Sequence, residues 1–190
     1  MKDKAELINH IIKTGNKTSY LELGVGYAME TISQIKCAKI VSVDMEPITD
    51  TIPSFKGTTD EFFKSNKAKF DVIYIDADHS EECVSRDFEN AVKCLKKNGI
   101  ILMHDVGPLR ERDTLPAASG TAFKSFIKIR GDEQYQAFSY MFENQDVLGI
   151  VKISPNTNKL GDYKLDFNYY NANKESILQC KTVEELTNAL

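Results

Sequence analysis

The chain has 190 residues, of which 42% are hydrophobic, so we expect one domain with a substantial core. Its 24 Lys and Arg residues against 28 Asp and Glu residues give a net charge of −4. This balance argues against a general nucleic-acid or membrane-surface binder, because such proteins usually present a basic face. No apolar run approaches the about 20 residues that a transmembrane helix needs, and the N-terminus lacks the apolar core of a signal peptide. We therefore expect a cytoplasmic protein.

The first half of the chain alternates between strand and helix patterns. In chain order, the apolar spacing predicts a helix over 5–13, a strand over 18–23, a helical stretch through Met29, Ile32 and Ile35, a strand over 39–43, a helix over 58–66, a strand over 70–75, a helix from the N-cap Ser80 to a stop at Asn98-Gly99, and a strand over 100–103. This alternation predicts an α/β protein with a parallel sheet that helices cover on both faces.

The second half changes character. Residues 106–119 are predicted to form a loop, 121–130 a short helix, and 134–142 with 147–153 a hairpin whose connection is 143–146. The polar tail is predicted to end in a helix over 174–190. We expect one main domain over residues 1–154 and a C-terminal appendage of the same domain over 155–190.

Glycines, carboxylates and histidines that could bind a ligand or take part in catalysis lie at four predicted strand ends. These are the segments 22–26 and 76–79, Asp44, and the pair 104–105. Ligands in open parallel sheets bind beyond the carboxyl ends of the strands. The shared location therefore predicts one binding site at this edge of the sheet.

The first of these segments points to an adenosine-containing cofactor. Gly24 and Gly26 allow close approach of the backbone, and Asp44 is placed to accept the hydroxyls of a ribose. A dinucleotide fingerprint needs a glycine where this chain has Met29, and the carboxylate of Glu22 would repel a pyrophosphate. The cationic cofactor S-adenosylmethionine (SAM) fits better than a nicotinamide dinucleotide.

The other strand ends suggest a reaction centre. Asp76 and Asp105 close adjacent strands, so their carboxylates are expected to converge on one cation. His104 is a candidate third ligand, and the alternative is an imidazole that supports the ligands without binding the metal. Oxygen ligands favour Mg²⁺, whereas the imidazole favours Mn²⁺ or Fe²⁺. His79 is a candidate catalytic base, because an unperturbed imidazole titrates near working pH. The alternative is that His79 only caps the following helix with Asp78 and Ser80.

Five sequence motifs occur in a fixed order over nearly half of the chain and together match the pattern of a known protein family. They are SYLELGVGYAMETISQI, IVSVDMEP, GTTDEFF, FDVIYIDADHSEE and LKKNGIILMHDVG. With them the chain resembles the class I SAM-dependent methyltransferases, most closely the small O-methyltransferases of the macrocin type and more distantly of the catechol type. Ala28 stands in place of the family's usual third glycine, and His104 stands where the macrocin-type group often has a glutamate.

The resemblance implies a Rossmann-like, mostly parallel sheet of seven strands with a C-terminal antiparallel hairpin and helices on both faces. It also implies a role for each matching residue. The methionine part of SAM is lined by Glu22, Gly24, Gly26 and Tyr27, the ribose is held by Asp44 with Met45 beside it, and the adenine is flanked by Thr59 and Asp60. Asp76 faces both cofactor and metal, and His79 is the base.

The leading hypothesis is therefore a SAM-dependent methyltransferase that acts on a hydroxyl of a small acceptor, such as a sugar, with a divalent metal such as Mg²⁺ or Mn²⁺. A second interpretation drops the metal, leaves His79 to act alone and admits an amine acceptor. A third is an inactive SAM-binding scaffold, and a nicotinamide-dependent oxidoreductase is disfavoured. We expect a small-molecule partner, no nucleic acid, no membrane and, because homodimers are the commonest oligomers, a homodimer.

Overall fold

The structure, a computed structural model, describes residues 1–26, 31–46 and 53–190. Its elements in chain order are α1 (Lys4–Thr14), β1 (Ser19–Leu23), β2 (Lys39–Asp44), β3 (Phe55–Lys56), α2 (Thr59–Ser65), β4 (Phe70–Ile75), α3 (Glu81–Cys94), β5 (Leu95–Met103), α4 (Ala122–Gly131), β6 (Tyr135–Met141), β7 (Val147–Ile153), α5 (Phe167–Leu178) and α6 (Val183–Ala189). Two short 3-10 helices add Ile32–Gln34 and Glu111–Thr114. Among the helices so described, none is both long and apolar enough to cross a membrane.

The seven strands form one sheet in the order β3-β2-β1-β4-β5-β7-β6. The first five strands of this order run parallel, and β7 and β6 form the antiparallel hairpin. Met103 at the end of β5 pairs with Gly149 near the start of β7. The connection before β7 therefore reaches the same edge as the ends of the parallel strands. The predicted Rossmann-like sheet is confirmed.

The sheet separates two core clusters, one on each face, and β4 contributes side chains to both. Ile73 and Ile75 lie in one cluster, whereas Val72 and Tyr74 lie in the other, as the alternation of side chains along a strand requires. Helices α2 to α5 cover the first cluster, and α1 and α6 cover the second. Helices therefore pack on both faces, as predicted.

The C-terminal tail packs on both faces of the sheet. Ile177 of α5 joins the first core cluster and Leu186 of α6 joins the second. The buried guanidinium of Arg130 donates hydrogen bonds to the backbone carbonyls of Ile177, Asn158 and Ser176 at 3.0, 2.9 and 3.2 Å. The division at residue 154 stays a prediction, but the residues beyond it contribute to the core of the sheet.

Some predicted elements were wrong in extent. Helix α3 ends at Cys94, and the residues predicted as its last turn and stop belong to strand β5. There Leu95 pairs with Phe70 of β4, and the Lys96 ammonium lies 2.8 Å from the Asp71 carboxylate. Sheet pairing and this ion pair outweigh the helix propensity of the lysines. The predicted helix over 174–190 is two helices. Met29 lies outside the described residues, Ile32 begins only a 3-10 turn, and the two-residue strand β3 was not predicted.

Candidate functional site

The turn after β1 depends on its two glycines in different ways. Gly24 has a φ of +84°, and a side chain there would overlap the backbone carbonyl of Asp76, so glycine lets the ends of β1 and β4 meet. Gly26 has a φ of +46°, and a Cβ there would meet no atom of the described residues within 4 Å. Both glycines line the cleft described below. Tyr27, predicted beside the methionine part of SAM, lies outside the described residues.

Asp44, at the end of β2, ties this turn to the neighbouring strand. Its Oδ2 accepts hydrogen bonds from the backbone N–H groups of Val25 and Gly26 at 2.7 and 3.0 Å, and its Oδ1 accepts from Glu46 at 2.8 Å. An ionised carboxylate has about four acceptor positions, and described residues occupy three of those on Asp44. The residue predicted to hold the ribose is therefore also what orders the glycine turn.

A cleft of about 460 Å³ opens beyond the ends of β1, β2 and β4. The predicted cofactor residues that line it are Gly24, Gly26, Asp44, Met45, Thr59 and Asp76. Of its described lining residues, five are acidic and one, Arg86, is basic. Such a cleft favours a cationic ligand and disfavours phosphate groups.

Glu22 and Asp60 are not among the described residues that line the cleft. Glu22 is buried and accepts a 2.6 Å hydrogen bond from the Tyr20 hydroxyl, and burial raises the pKa of Glu22 to about 8. At neutral pH this carboxyl is therefore mostly uncharged. Asp60 lies in the first turn of α2, where its carboxylate pairs with the Arg86 guanidinium at 2.9 Å. The cofactor contacts predicted for these two residues stay predictions.

Asp76 joins the cleft to a second cluster of polar side chains. Its Oδ2 accepts a 2.7 Å hydrogen bond from the Tyr74 hydroxyl, and its Oδ1 lies 2.7 Å from His104 Nδ1 and 3.2 Å from His79 Nε2. Burial opposes ionisation of Asp76, but the charge of His104 and the hydrogen bonds from both imidazoles hold its pKa well below its usual range. Asp76 is thus an anion with three hydrogen-bond donors.

His104 occupies the middle of this cluster. Its Nδ1 faces Asp76 and, at 3.4 Å, Asp105, while its Nε2 lies 3.2 Å from Asp146 Oδ2. Burial disfavours the charged imidazole, but the surrounding carboxylates prevail and raise the pKa of His104 to about 10. The ammonium of Lys4 lies 3.2 Å from His104 Nε2. A protonated imidazole accepts no hydrogen bond, so this contact places two cations side by side. The charge of Lys4 helps to lower the pKa of Asp76 and of Asp146.

His79 is held between two carboxylates at the start of α3. Its Nε2 faces Asp76, and its Nδ1 lies 3.0 Å from Asp105 Oδ2 and 3.3 Å from the Ala118 carbonyl. The hydrogen bond to Asp76 raises the pKa of His79, against the opposing effect of burial. Asp105 has a φ of +56°, a strained conformation for a residue other than glycine, and its carboxylate reaches the imidazole from there.

The alternative role of His79 as a helix cap can be judged from the bonds at the start of α3. The Ser80 hydroxyl accepts from the Cys83 N–H at 3.4 Å, and Asp78 Oδ1 accepts from the Ser80 N–H at 2.7 Å. The cap is therefore made by these two residues. The ring of His79 contacts the carboxylates instead.

The donor set of the cluster fits a divalent metal. Two groups of three side chains each bring their ligand atoms within 4.8 Å of one another: Asp76, His79 and His104, and His104, Asp105 and Asp146. The predicted ligands Asp76 and Asp105 fall in different groups, and His104 belongs to both. Mixed imidazole and carboxylate ligands suit Mn²⁺ or Fe²⁺ better than Mg²⁺. The imidazolium of His104 must lose a proton before it can act as a ligand.

The sequence analysis missed two members of the cluster. Asp146 lies in the hairpin connection, which the antiparallel pairing of β5 and β7 brings beside His104. The predicted hairpin, combined with the strand order of the resembled family, contained that signal. Lys4, on the first turn of α1, offered no signal, because a lysine at the start of a helix is ordinary on a surface.

A smaller cavity of about 190 Å³ adjoins the cluster on the side of the loop after β5. Its described lining residues are Asp105, Gly107, Leu109, Asp113, Ser119, Asn144, Gln145 and Asp146. Most of these side chains offer oxygen or amide groups. The cavity is therefore suited to a small ligand that carries several hydroxyl groups.

Comparison with known proteins gives one family and a consistent fold. A family model described as a methyltransferase domain matches residues 12–106, which is half of the chain. The match includes the glycine turn, Asp44, Asp76, His79, His104 and Asp105, but not Lys4 or Asp146. No curated protein sequence matches the chain.

Solved structures with the same fold include three methyltransferases at low sequence identity. An O-methyltransferase from Bacillus cereus in complex with S-adenosylhomocysteine (SAH) is 14% identical, with a TM-score of 0.55 over 77% of this chain and 79% of that chain. The O-methyltransferase TomG from Streptomyces achromogenes, in complex with SAM, is 12% identical, with a TM-score of 0.58 over 79% of each chain. The SAH-bound methyltransferase PaMTH1 from Podospora anserina is 16% identical, with a TM-score of 0.59 over 79% of this chain and 77% of that chain.

Proposed function

The chain belongs to the methyltransferase-domain family, and from that premise we propose that it transfers a methyl group from SAM to a hydroxyl of a small, hydroxyl-rich acceptor, assisted by a divalent metal. One observation carries the proposal. Asp76 lines the cofactor cleft and also contacts both His79 and His104. A group delivered from the cleft therefore reaches the cluster that contains the candidate base.

The cleft supports SAM rather than a nicotinamide dinucleotide. SAM supplies a reactive methyl group on a positively charged sulfur when it is bound. The acidic lining of the cleft attracts the sulfonium and ammonium charges and repels a pyrophosphate. Gly26 and Asp44 both line the cleft, so the backbone of Gly26 is the proposed contact of the ligand and the Asp44 carboxylate the proposed acceptor for a ribose hydroxyl. The described relatives TomG and PaMTH1, bound to SAM and SAH, support the same cofactor.

His79 is the proposed base. Both ring nitrogens of His79 face carboxylates, and these contacts raise its pKa and favour its charged form. It can accept a proton from the acceptor hydroxyl only after it has released one to solvent, and a carboxylate that turns to another partner makes that release easier. Its ring stands between the cofactor cleft and the cavity beside Asp105, where the acceptor hydroxyl is expected.

The carboxylates of the cluster and the imidazole of His104 are the proposed metal site. When bound there, a divalent ion would lower the pKa of an acceptor hydroxyl and position it. Asp76, His104 and Asp105 remain the proposed ligands, and Asp146 converges with His104 and Asp105 as a further candidate. The sugar-like acceptor is proposed from the polar lining of the adjoining cavity.

The test combines binding with turnover. Calorimetric titration should show micromolar binding of SAM and SAH and no binding of NAD⁺. Release of SAH should then depend on a hydroxyl-rich acceptor, stop with EDTA and return with Mn²⁺ or Mg²⁺. Absence of SAM and SAH binding would overturn the proposal as a whole.

Two other outcomes would replace part of the proposal. Turnover that EDTA leaves unchanged, or that requires an amine, would favour the metal-independent enzyme in which His79 acts alone. Tight SAM binding without turnover on any acceptor would favour the scaffold interpretation.

A further inference from the structure

A second cavity lies beyond the one that adjoins the cluster around His104. Its volume is about 420 Å³, and the loop after β5, the β6–β7 hairpin and α5 all contribute to its wall. Gly107 and Leu109 line this cavity as well as the smaller one of about 190 Å³. The two cavities therefore adjoin across these two residues, so a molecule bound beside Asp105 can extend into the larger cavity.

The two cavities differ in the chemistry of their walls. The smaller one is lined mostly by carboxylate, hydroxyl and amide side chains. Apolar or aromatic side chains make up most of the described lining of the larger one, and they are Pro108, Leu109, Met141, Val147, Tyr170 and Leu178. Its charged lining residues among those described are Lys174 and Glu175, one of each sign and both exposed. An uncharged apolar group therefore suits this cavity.

The C-terminal tail holds one wall of the apolar cavity in place. The Ser139 hydroxyl on β6 donates to the Leu178 carbonyl at 2.8 Å, and the Ser139 carbonyl accepts from the Lys181 N–H at 2.8 Å. The buried ring of Tyr170 packs edge-on against Phe123, with the ring centres 5.2 Å apart. The wall is therefore formed by packed elements, which spares a ligand the entropic cost of ordering it.

Two apolar side chains in this wall remain half exposed to water. Leu109 is 47% exposed and Met141 is 44% exposed. Gly107 lets the loop lie directly against β7, because a Cβ at this position would lie 2.5 Å from the side chain of Val147. An apolar group in the cavity would remove Leu109 and Met141 from water, which is favourable.

We propose that the apolar cavity binds an uncharged alkyl or aryl group of the methyl acceptor, whose hydroxylated part lies in the smaller cavity beside Asp105. This inference rests on the proposed function and deepens it, because the acceptor becomes an amphipathic molecule instead of a free sugar. All described residues that line the apolar cavity follow residue 106, where the match to the family model ends. The loop and the tail of this chain therefore determine the subsite.

The test titrates the SAH-bound protein with N-phenyl-1-naphthylamine, an uncharged apolar probe whose fluorescence rises when it leaves water. The wild type should bind it saturably with a micromolar Kd. Met141→Glu places a charge in the wall and should weaken binding by about tenfold or more. Ile153→Glu alters a similarly exposed apolar residue at the other end of the hairpin, which lines neither cavity, and should keep the wild-type affinity.

Competition for the probe connects this cavity with the acceptor site. Hexyl β-D-glucoside should displace the probe at about tenfold lower concentration than either methyl β-D-glucoside or hexan-1-ol. Of these three ligands, only the hexyl glucoside has both a sugar for the smaller cavity and an alkyl chain for the apolar one, so its two contacts reinforce each other.

Two results would overturn the subsite itself: no saturable binding of the probe to the SAH-bound protein, or wild-type affinity in a Met141→Glu protein that still unfolds cooperatively. Probe affinity that falls as protein concentration rises would also overturn it, because a second copy of the chain would then cover the cavity. Displacement by hexan-1-ol as effective as that by hexyl β-D-glucoside would remove the link to the acceptor. Failure to bind SAH, measured separately by calorimetry, would instead remove the proposed function.

Discussion

The cofactor cleft and the cluster around His104 share one edge of the sheet and one residue, Asp76, but satisfy their carboxylates differently. In the cleft, Asp44 is held by backbone N–H groups from neighbouring segments. In the cluster, Asp76, Asp105 and Asp146 are neutralised by two imidazoles and the Lys4 ammonium.

This difference suggests that the cleft binds the cofactor, whereas the cluster takes part in the reaction. Backbone donors neither titrate nor move far, so the cleft is ready for a ligand of fixed shape. The imidazoles carry protons that leave when another cation arrives, so the cluster can change its charge during a reaction. Changes in the cleft should therefore alter affinity, and changes in the cluster should alter turnover and metal binding.

The largest effect is expected from His79→Ala. Turnover should fall by roughly 10² to 10⁴, the usual contribution of a general base, while SAH affinity stays within about twofold. His10→Ala removes a histidine on α1 that contacts Thr187 and should leave both quantities unchanged. Steady-state kinetics and calorimetry measure the two readouts. Unchanged turnover in His79→Ala would remove the division between the two regions.

Asp87→Asn tests the free-energy cost of the Asp87 carboxylate on α3, which is 2% exposed and whose Oδ1 has no hydrogen-bond partner in the described part of the chain. Because burial raises the pKa of Asp87 to about 6 from 3.8, the folded state binds the proton more tightly than the unfolded state. Stability is therefore lost as pH rises from about 4 to about 6, and the cost persists above that range. The variant should be more stable than the wild type by up to about 3 kcal/mol at pH 7.5 and equal to it near pH 4.

Urea unfolding of the ligand-free protein at the two pH values measures this difference, with Glu89→Gln as the control on the same helix. A variant that is less stable than the wild type at pH 7.5 would mean that Asp87 already has a compensating partner.

The sequence predicted the residues that line the cleft better than those that form the cluster around His104. The cleft is built from strand ends that follow directly from the order of strands, and Gly24, Gly26 and Asp44 lie on its wall as expected. The alternation of strands and helices predicted the parallel sheet, and the family resemblance implied its seven strands. Burial, however, depends on packing between distant segments, so local patterns did not predict that Glu22 is buried or that Asp87 Oδ1 lacks a hydrogen-bond partner among the described residues.

The cluster draws on segments far apart in the chain. Lys4 and Asp146 reach His104 from α1 and from the hairpin connection, and neither follows a parallel strand. Long-range packing also ended α3 at Cys94, where local signals predicted a longer helix. Local patterns therefore predict which edge carries the site, while tertiary contacts decide which charges meet there.

Asp44→Asn tests whether the cleft is organised by backbone donors. The amide keeps a carbonyl acceptor but loses the charge, so the bonds to Val25 and Gly26 weaken together with the bond to the ribose. The Kd for SAM should rise by about 10- to 30-fold, as expected for weakened hydrogen bonds to a charged group. Affinity for Mn²⁺ in the same variant should stay unchanged. SAM binding at wild-type strength would contradict the ribose role.

The smallest effect tests whether Asp146 belongs to the metal site. Asp146→Asn should weaken Mn²⁺ binding by up to about tenfold, because it removes one charged ligand or neighbour. Glu143→Gln, an exposed change in the same connection, should have no effect. In the wild type, Mn²⁺ affinity should increase with pH from 6 to 9, because His104 has a pKa of about 10 and must release its proton to bind metal. Calorimetry in two buffers of different ionisation enthalpy counts that proton, and metal binding that releases none would exclude His104 as a ligand.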